Sequence, residues 1–135
     1  MQTSSVMRTE KYFSFLGGGL GGLLSGLGLL NGWIVFIWLG IALLWLVSRK
    51  ILGGFFWGLF AVLVSHSWLL SLHPLDWIGI PLRTSLPLVI AIWISCGIIA
   101  GLLVGLWTWL ANCSILVGLR DGSFLERVTF AVVLS

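Results

Sequence analysis

The chain has 135 residues, 59% hydrophobic and 8% charged, against roughly 25% charged residues in an ordinary soluble domain. That excludes a water-soluble globular domain and reads as an integral membrane protein, too short to hold both a helical bundle and a separate catalytic domain of roughly 100 residues or more. The net charge of +3 comes from seven basic residues scattered at the ends of apolar runs. They are topology signals and not a nucleic-acid face, so no nucleic-acid partner is expected.

Residues 1–11, MQTSSVMRTEK, are polar and carry Arg8, Glu10 and Lys11. They read as a cytoplasmic tail, because no A-x-A-like cleavage site follows before Asn31 that would make them the start of a signal peptide. Residues 12–30, YFSFLGGGLGGLLSGLGLL, form a first predicted span rich in glycine. Gly17, Gly19 and Gly22 satisfy the G-x-G-x-x-G pattern of dinucleotide sites, but that fingerprint needs a preceding strand and a βαβ unit, and here an aromatic start leads into more apolar helix. The productive reading is small-xxx-small. Gly17 with Gly21, Gly18 with Gly22, and Gly22 with Gly26 lie one turn apart, where missing side chains let a neighbouring backbone approach.

Asn31 and Gly32 signal a turn, and residues 33–48 make a short second span, with Trp33 marking one interface and Arg49 and Lys50 the other. A re-entrant segment is the competing reading. Residues 51–72 follow at once, free of Asp, Glu, Lys and Arg, with Gly54 and Gly58 repeating the small-residue spacing. Ser65, His66, Ser67, Trp68 and Ser71 put a polar cluster at the far end. His66 and His73 share a helix face, but two turns separate them by about 10 Å along the axis, and ligands of one metal lie within about 4 Å of each other. No metal site and no cofactor are expected. Polar side chains hydrogen-bonding at a helix end account for them.

The connector 73–85, HPLDWIGIPLRTS, holds Asp76, Trp77 and Arg83. Trp77, Ile78 and Ile80 suit the headgroup zone; Arg83 either pairs with Asp76, meets a lipid phosphate or is simply solvated. Residues 86–111 are the longest uncharged run, with Pro87 near its first turn, where a missing N–H is tolerated. Gly97, Gly101 and Gly105 form a stripe, and Trp107 and Trp109 a girdle. Cys96 and Cys113 fall about 25 Å apart on one helix, far beyond disulfide reach unless the chain turns back near Asn112. Beyond, S-F-L-E from Ser123 to Glu126 matches a capping box and opens a fifth helix. Its apolar run from Val128 covers only about 10 Å, a third of the membrane, which leads us to expect a piece of a longer protein; a helix lying in the interface is the other option.

The fold expected is therefore an all-α integral membrane protein: a tail over 1–11, a glycine-packed transmembrane bundle over 12–111 with spans at 12–30, 33–48, 51–72 and 86–111, and a cytoplasmic segment over 112–135 with the start of a fifth helix. Four spans put Arg8, Lys11, Arg49, Lys50, Arg120 and Arg127, six of the seven basic residues, on one side, which the positive-inside rule makes cytoplasmic. The N-terminus then faces the cytoplasm, and the membrane lipid is the first partner expected.

With these features in order, residues 13–111 resemble the N-terminal membrane portion of the apolipoprotein N-acyltransferases of the bacterial inner membrane. The carriers are FLGGGLGGLLSGLGLL, NGWIVFIWLGIALLWL, the basic pair RK, GGFFWGLFAVLVSHSWLLSL and GLLVGLWTWL. The family commonly has prolines in its first outer turn, and LGLLNGW has none. The resemblance implies a larger helical bundle carrying a periplasmic nitrilase-like domain. There a Glu, a Lys and a Cys take an acyl group from a phospholipid donor as a thioester and pass it to the N-terminal cysteine of an apolipoprotein. None of those residues maps onto this chain, and Cys96 and Cys113 lie on the wrong side, so no catalytic residue is assigned. His66, Trp77 and Arg83 are the candidate lipid or loop contacts. The fragment alone would be inactive scaffold. A small-molecule uptake subunit and a small structural membrane protein are the rival readings.

Overall fold

The computed structural model describes residues 3–47 and 50–118, with side chains over 12–47 and 50–113. The described residues are helices and turns without strands. They form α1 (Thr3–Asn31), α2 (Ile34–Val47), α3 (Ile51–Ser65) and α4 (Leu82–Gly118), with two 3-10 turns, Ser67–Leu72 and Asp76–Ile78, between α3 and α4. Two stretches, Tyr12–Asn31 in α1 and Leu82–Cys113 in α4, are long and apolar enough to cross a membrane; α2 and α3 are shorter apolar helices.

The first turn follows from its residues. Gly32 adopts φ +71°, a conformation open to glycine at little cost, and the Trp33 N–H reaches back to Gly28 O at 2.8 Å. That bond closes a Schellman motif and satisfies a carbonyl that the end of α1 would leave bare. Asn31 Nδ2 donates to Leu27 O at 2.9 Å. The chain thus reverses tightly and lays α2 against α1.

In space the order is α2, α1, α3, α4. Helix α1 packs on both α2 and α3, α3 packs on α1 and α4, and α2 barely touches α3, to which it is nearly joined in sequence. Apart from Leu44 and Leu75, the buried side chains are small or short: Ser14, Ser25, Val47, Ala61, Ser85, Val89 and Thr108. Large apolar side chains instead point outward, as with Trp38 and Leu46 on α2 and Leu102 and Leu103 on α4. This inversion of the soluble pattern suits lipid, where Leu gains nothing by facing another helix and small residues allow close backbone approach.

Three boundaries differ from the sequence reading. Helix α1 begins at Thr3, within the segment read as a tail. The stretch 51–72 is not one helix: α3 stops at Ser65, and His66 turns the chain at φ −101°, ψ 18°. Helix α4 begins at Leu82 and not at 86, because Pro81 and not Pro87 starts it. The Pro81 carbonyl accepts the Thr84 and Ser85 N–H groups at 2.9 and 3.1 Å, while Pro87 sits inside the helix. Continuing through Asn112, whose Nδ2 bonds Thr108 O at 2.7 Å, α4 carries Cys96 and Cys113 as free thiols on one rod. The fifth helix expected from Ser123 lies outside the described residues.

Candidate functional site

Many of the glycines lie against atoms of a neighbouring helix. On α1, a Cβ added at Gly18 would strike Gly53 O of α3, and one at Gly22 would strike Trp57 O; one at Gly26 would lie 2.7 Å from Val64 Cβ and 2.8 Å from Ala61 O. A Cβ at Gly17 would lie 2.6 Å from Val47 Cγ1, and one at Gly21 would lie 2.7 Å from Trp57 Cδ1 and 3.0 Å from Leu43 Cβ. Across the α3–α4 contact, Gly54 meets Thr108 Cγ2 at 2.5 Å, Gly58 meets Ala100 O at 2.6 Å, and Gly101 meets Phe55 O at 2.8 Å. Gly97 meets the Leu63 side chain at 2.7 Å, whereas at Gly105 the nearest atoms are 3.6 Å away, an ordinary contact.

The sequence reading did not single out Gly40 of α2. A Cβ there would collide with Ser25 Oγ and lie 2.5 Å from Gly21 O. Gly40 has no glycine partner four residues away, so the spacing search passes over it. The usable signal is on α1, where Ser25 extends the Gly17–Gly21 row by one turn as another small residue. Trp57 also went unremarked; from α3 its indole N–H donates to Gly40 O at 2.8 Å, joining α3 to α2 past the edge of α1.

At the other end of the bundle the connector is tied down at one atom. Ser85, fully buried, accepts the Leu75 N–H at 2.8 Å and lies 2.9 Å from His73 Nδ1. A serine beside a histidine has the outline of a nucleophile and base, but this hydroxyl is enclosed and already holds a main-chain amide, so its role here is structural. His66 is a separate matter. It is exposed, its Nδ1 lies 2.9 Å from Ser65 Oγ, and its ring sits beside Trp68 at 6.4 Å between centroids. The two histidines thus have different serine partners. Among the described residues no three His, Cys, Asp or Glu side chains gather as metal ligands. Asp76 Oδ1 accepts its neighbour Trp77's N–H at 3.0 Å; Arg83 and Trp77 are both exposed, Trp77 at 72%.

Two apolar clefts flank these features. One, about 310 Å³, runs between the connector and the start of α4 and is lined by Leu69, Leu72, Leu75, Trp77, Val89 and Ile92, among others, with no polar surface. The other, about 370 Å³, lies between α2 and α4 over α3 and is walled by Trp45, Trp57 and Trp107, with Trp45 and Trp107 edge to face at 6.1 Å. Walls of this kind suit hydrocarbon chains.

No family model matches the chain, and no solved structure matches it. Curated proteins do. The chain is 46% identical over 130 residues, 96% of its length, to an apolipoprotein N-acyltransferase of Prochlorococcus marinus. A counterpart from a second strain of that species is 36% identical over 129 residues, again 96% of the chain. The chain is a homologue of the apolipoprotein N-acyltransferases. Another, from Parasynechococcus marenigrum, is 47% identical over 105 residues, 78% of the chain. The chain spans about a quarter of the length of these N-acyltransferases, 26%, 26% and 22% respectively. The clefts and helix contacts described above lie in the stretch that aligns with these N-acyltransferases.

Proposed function

We propose that this chain is the N-terminal membrane part of an apolipoprotein N-acyltransferase, serving as scaffold and as one wall of a lipid access path for an acyl-transfer domain outside these residues. The observation that carries the reading is the match over 96% of the chain to a protein about four times its length, across four apolar helices. In this reading the four apolar helices are four membrane spans, and the positive-inside rule puts the N-terminus, Arg49 and Lys50 on the cytoplasmic face of the inner membrane. The connector then lies at the outer surface, where Trp77 anchors in the headgroup zone and Arg83 and His66 meet lipid or loop groups.

In this reading the glycines at 17, 18, 21, 22, 26, 54, 58, 97, 101 and 105 let α1, α2, α3 and α4 approach to van der Waals contact, which replaces the hydrophobic drive that lipid removes. The donor is a membrane phospholipid and the acceptor an apolipoprotein, with no cofactor.

A chimera tests this. The matching segment of a Prochlorococcus N-acyltransferase is exchanged for this chain, and N-acylation of a reporter lipoprotein is read by mass spectrometry in cells lacking their own enzyme. Restored acylation is expected. A chimera that accumulates in the membrane, retains an intact acyl-transfer domain and leaves the lipoprotein diacylated would overturn the reading. The 135-residue chain expressed alone is expected to restore nothing.

A further inference from the structure

Helix α3 is too short for the task that the four-span reading gives it. Its fifteen residues rise about 22 Å, against a hydrocarbon core of about 30 Å. The six residues of the following 3-10 turn add about 12 Å, which completes the crossing. The neighbouring helices fix where the join falls. Gly26 packs against Val64 and lies five residues before the end of α1, a drop of about 8 Å. On the other side the Trp93 indole N–H donates to Leu63 O at 2.9 Å, and Trp93 is eleven residues into α4, about 16 Å from its start. The end of α3 therefore lies well below the outer ends of both helices that flank it.

We propose that α3 and the 3-10 turn after it form one membrane segment broken at His66, and that the break is a water-filled notch open to the outer surface. A helix end leaves its last carbonyls without partners, and non-helical backbone at membrane depth persists only where protein or water satisfies it. The His66 N–H returns to Val62 O at 2.9 Å, and the next main-chain bond begins only with Leu69 N–H to His66 O at 3.0 Å. Of the carbonyls between, Leu63 O is capped by Trp93. The His66 N–H also reaches Val64 O; Ser65, exposed His66 and Ser67 put three polar side chains at the break, and the Ser65–His66 pair leaves the far imidazole nitrogen directed away from Ser65. Among the described residues the buried polar side chains of α1 and α4 are the small hydroxyls of Ser14, Ser25, Ser85 and Thr108. The polarity gathered at this break instead faces outward, and interrupted membrane helices elsewhere use such breaks to meet polar groups at depth.

This inference rests on the four-span reading, and one labelling series separates the two. In a background with Cys96→Ser and Cys113→Ser, the substitutions Ser67→Cys, Ser71→Cys, Ile90→Cys and Leu102→Cys are treated in intact cells with a charged, membrane-impermeant thiol reagent. Ile90, exposed on α4 at about the depth of the break, and Leu102, exposed near mid-helix, report lipid. Modification of Ser67→Cys about tenfold faster than Ile90→Cys is expected, since only a hydrated site holds reactive thiolate at that depth. Ser71→Cys provides the same readout if the Ser67 variant fails to accumulate. Equal rates at positions 67 and 90 with Leu102→Cys protected would overturn the notch and leave the span intact. Fast labelling of Leu102→Cys would overturn the membrane reading, and the notch with it.

Discussion

Gly22→Ala and Gly105→Ala are the same chemical change at two glycines of the same spacing pattern, yet opposite results are expected. At Gly22 the new methyl would strike Trp57 O and lie 3.0 Å from Trp57 C and 3.1 Å from Ala61 N, all of them main-chain atoms of α3. Carbon contacts settle at about 3.5–4.0 Å, so α3 as a whole must retreat, and overpacking of this kind costs about 1–3 kcal/mol. The gain in helix propensity, up to about 1 kcal/mol, offsets part of that. At Gly105 the nearest atoms already stand at 3.6 Å, so nothing moves and only the propensity gain remains. The two variants should therefore differ by about 2 kcal/mol, about 30-fold in the unfolding equilibrium. Reversible unfolding in mixed detergent micelles, followed by far-ultraviolet circular dichroism, measures it. Equal stability within about 0.5 kcal/mol, or a less stable Gly105→Ala, would refute the idea that main-chain approach at Gly22 limits the α1–α3 distance.

Ser25 Oγ is buried without a hydrogen-bond partner, so Ser25→Ala should leave stability unchanged or raise it by about 1 kcal/mol in the same titration; a loss above that would mean the hydroxyl is engaged. Ser85→Ala strips the Leu75 N–H of its acceptor and should cost about 1–3 kcal/mol, with faster amide exchange at Leu75 than in α4; unchanged exchange would count against the hydroxyl as the connector's anchor. Trp93→Phe removes the donor to Leu63 O and should cost about 1 kcal/mol, a loss that Trp109→Phe, on an exposed residue, should not reproduce.

Helical class and the turn at Asn31–Gly32 are visible in the sequence because each depends on local terms: uncharged runs too long to be strands, and a glycine that accepts positive φ. What the sequence hides is set by neighbours. Nothing in SHSWLL announces that α3 ends at Ser65, since the group that takes the Leu63 carbonyl is thirty residues away on α4. Pro87 looks like a better helix start than Pro81 until Ser85 is seen to be held by the connector. Gly105 and Gly22 look alike as letters and differ in what lies opposite. The clefts depend on which helices adjoin, and no periodicity reveals that α3 passes over α2, its immediate predecessor, to lie against α1.

The spatial order α2, α1, α3, α4 has a consequence for biosynthesis. As the polypeptide leaves the ribosome, α2 lies down on α1, α3 takes the other flank of α1, and α4 settles on α3. Each of α2, α3 and α4 thus meets a mate that has already been made, and only α1 must wait for a later one.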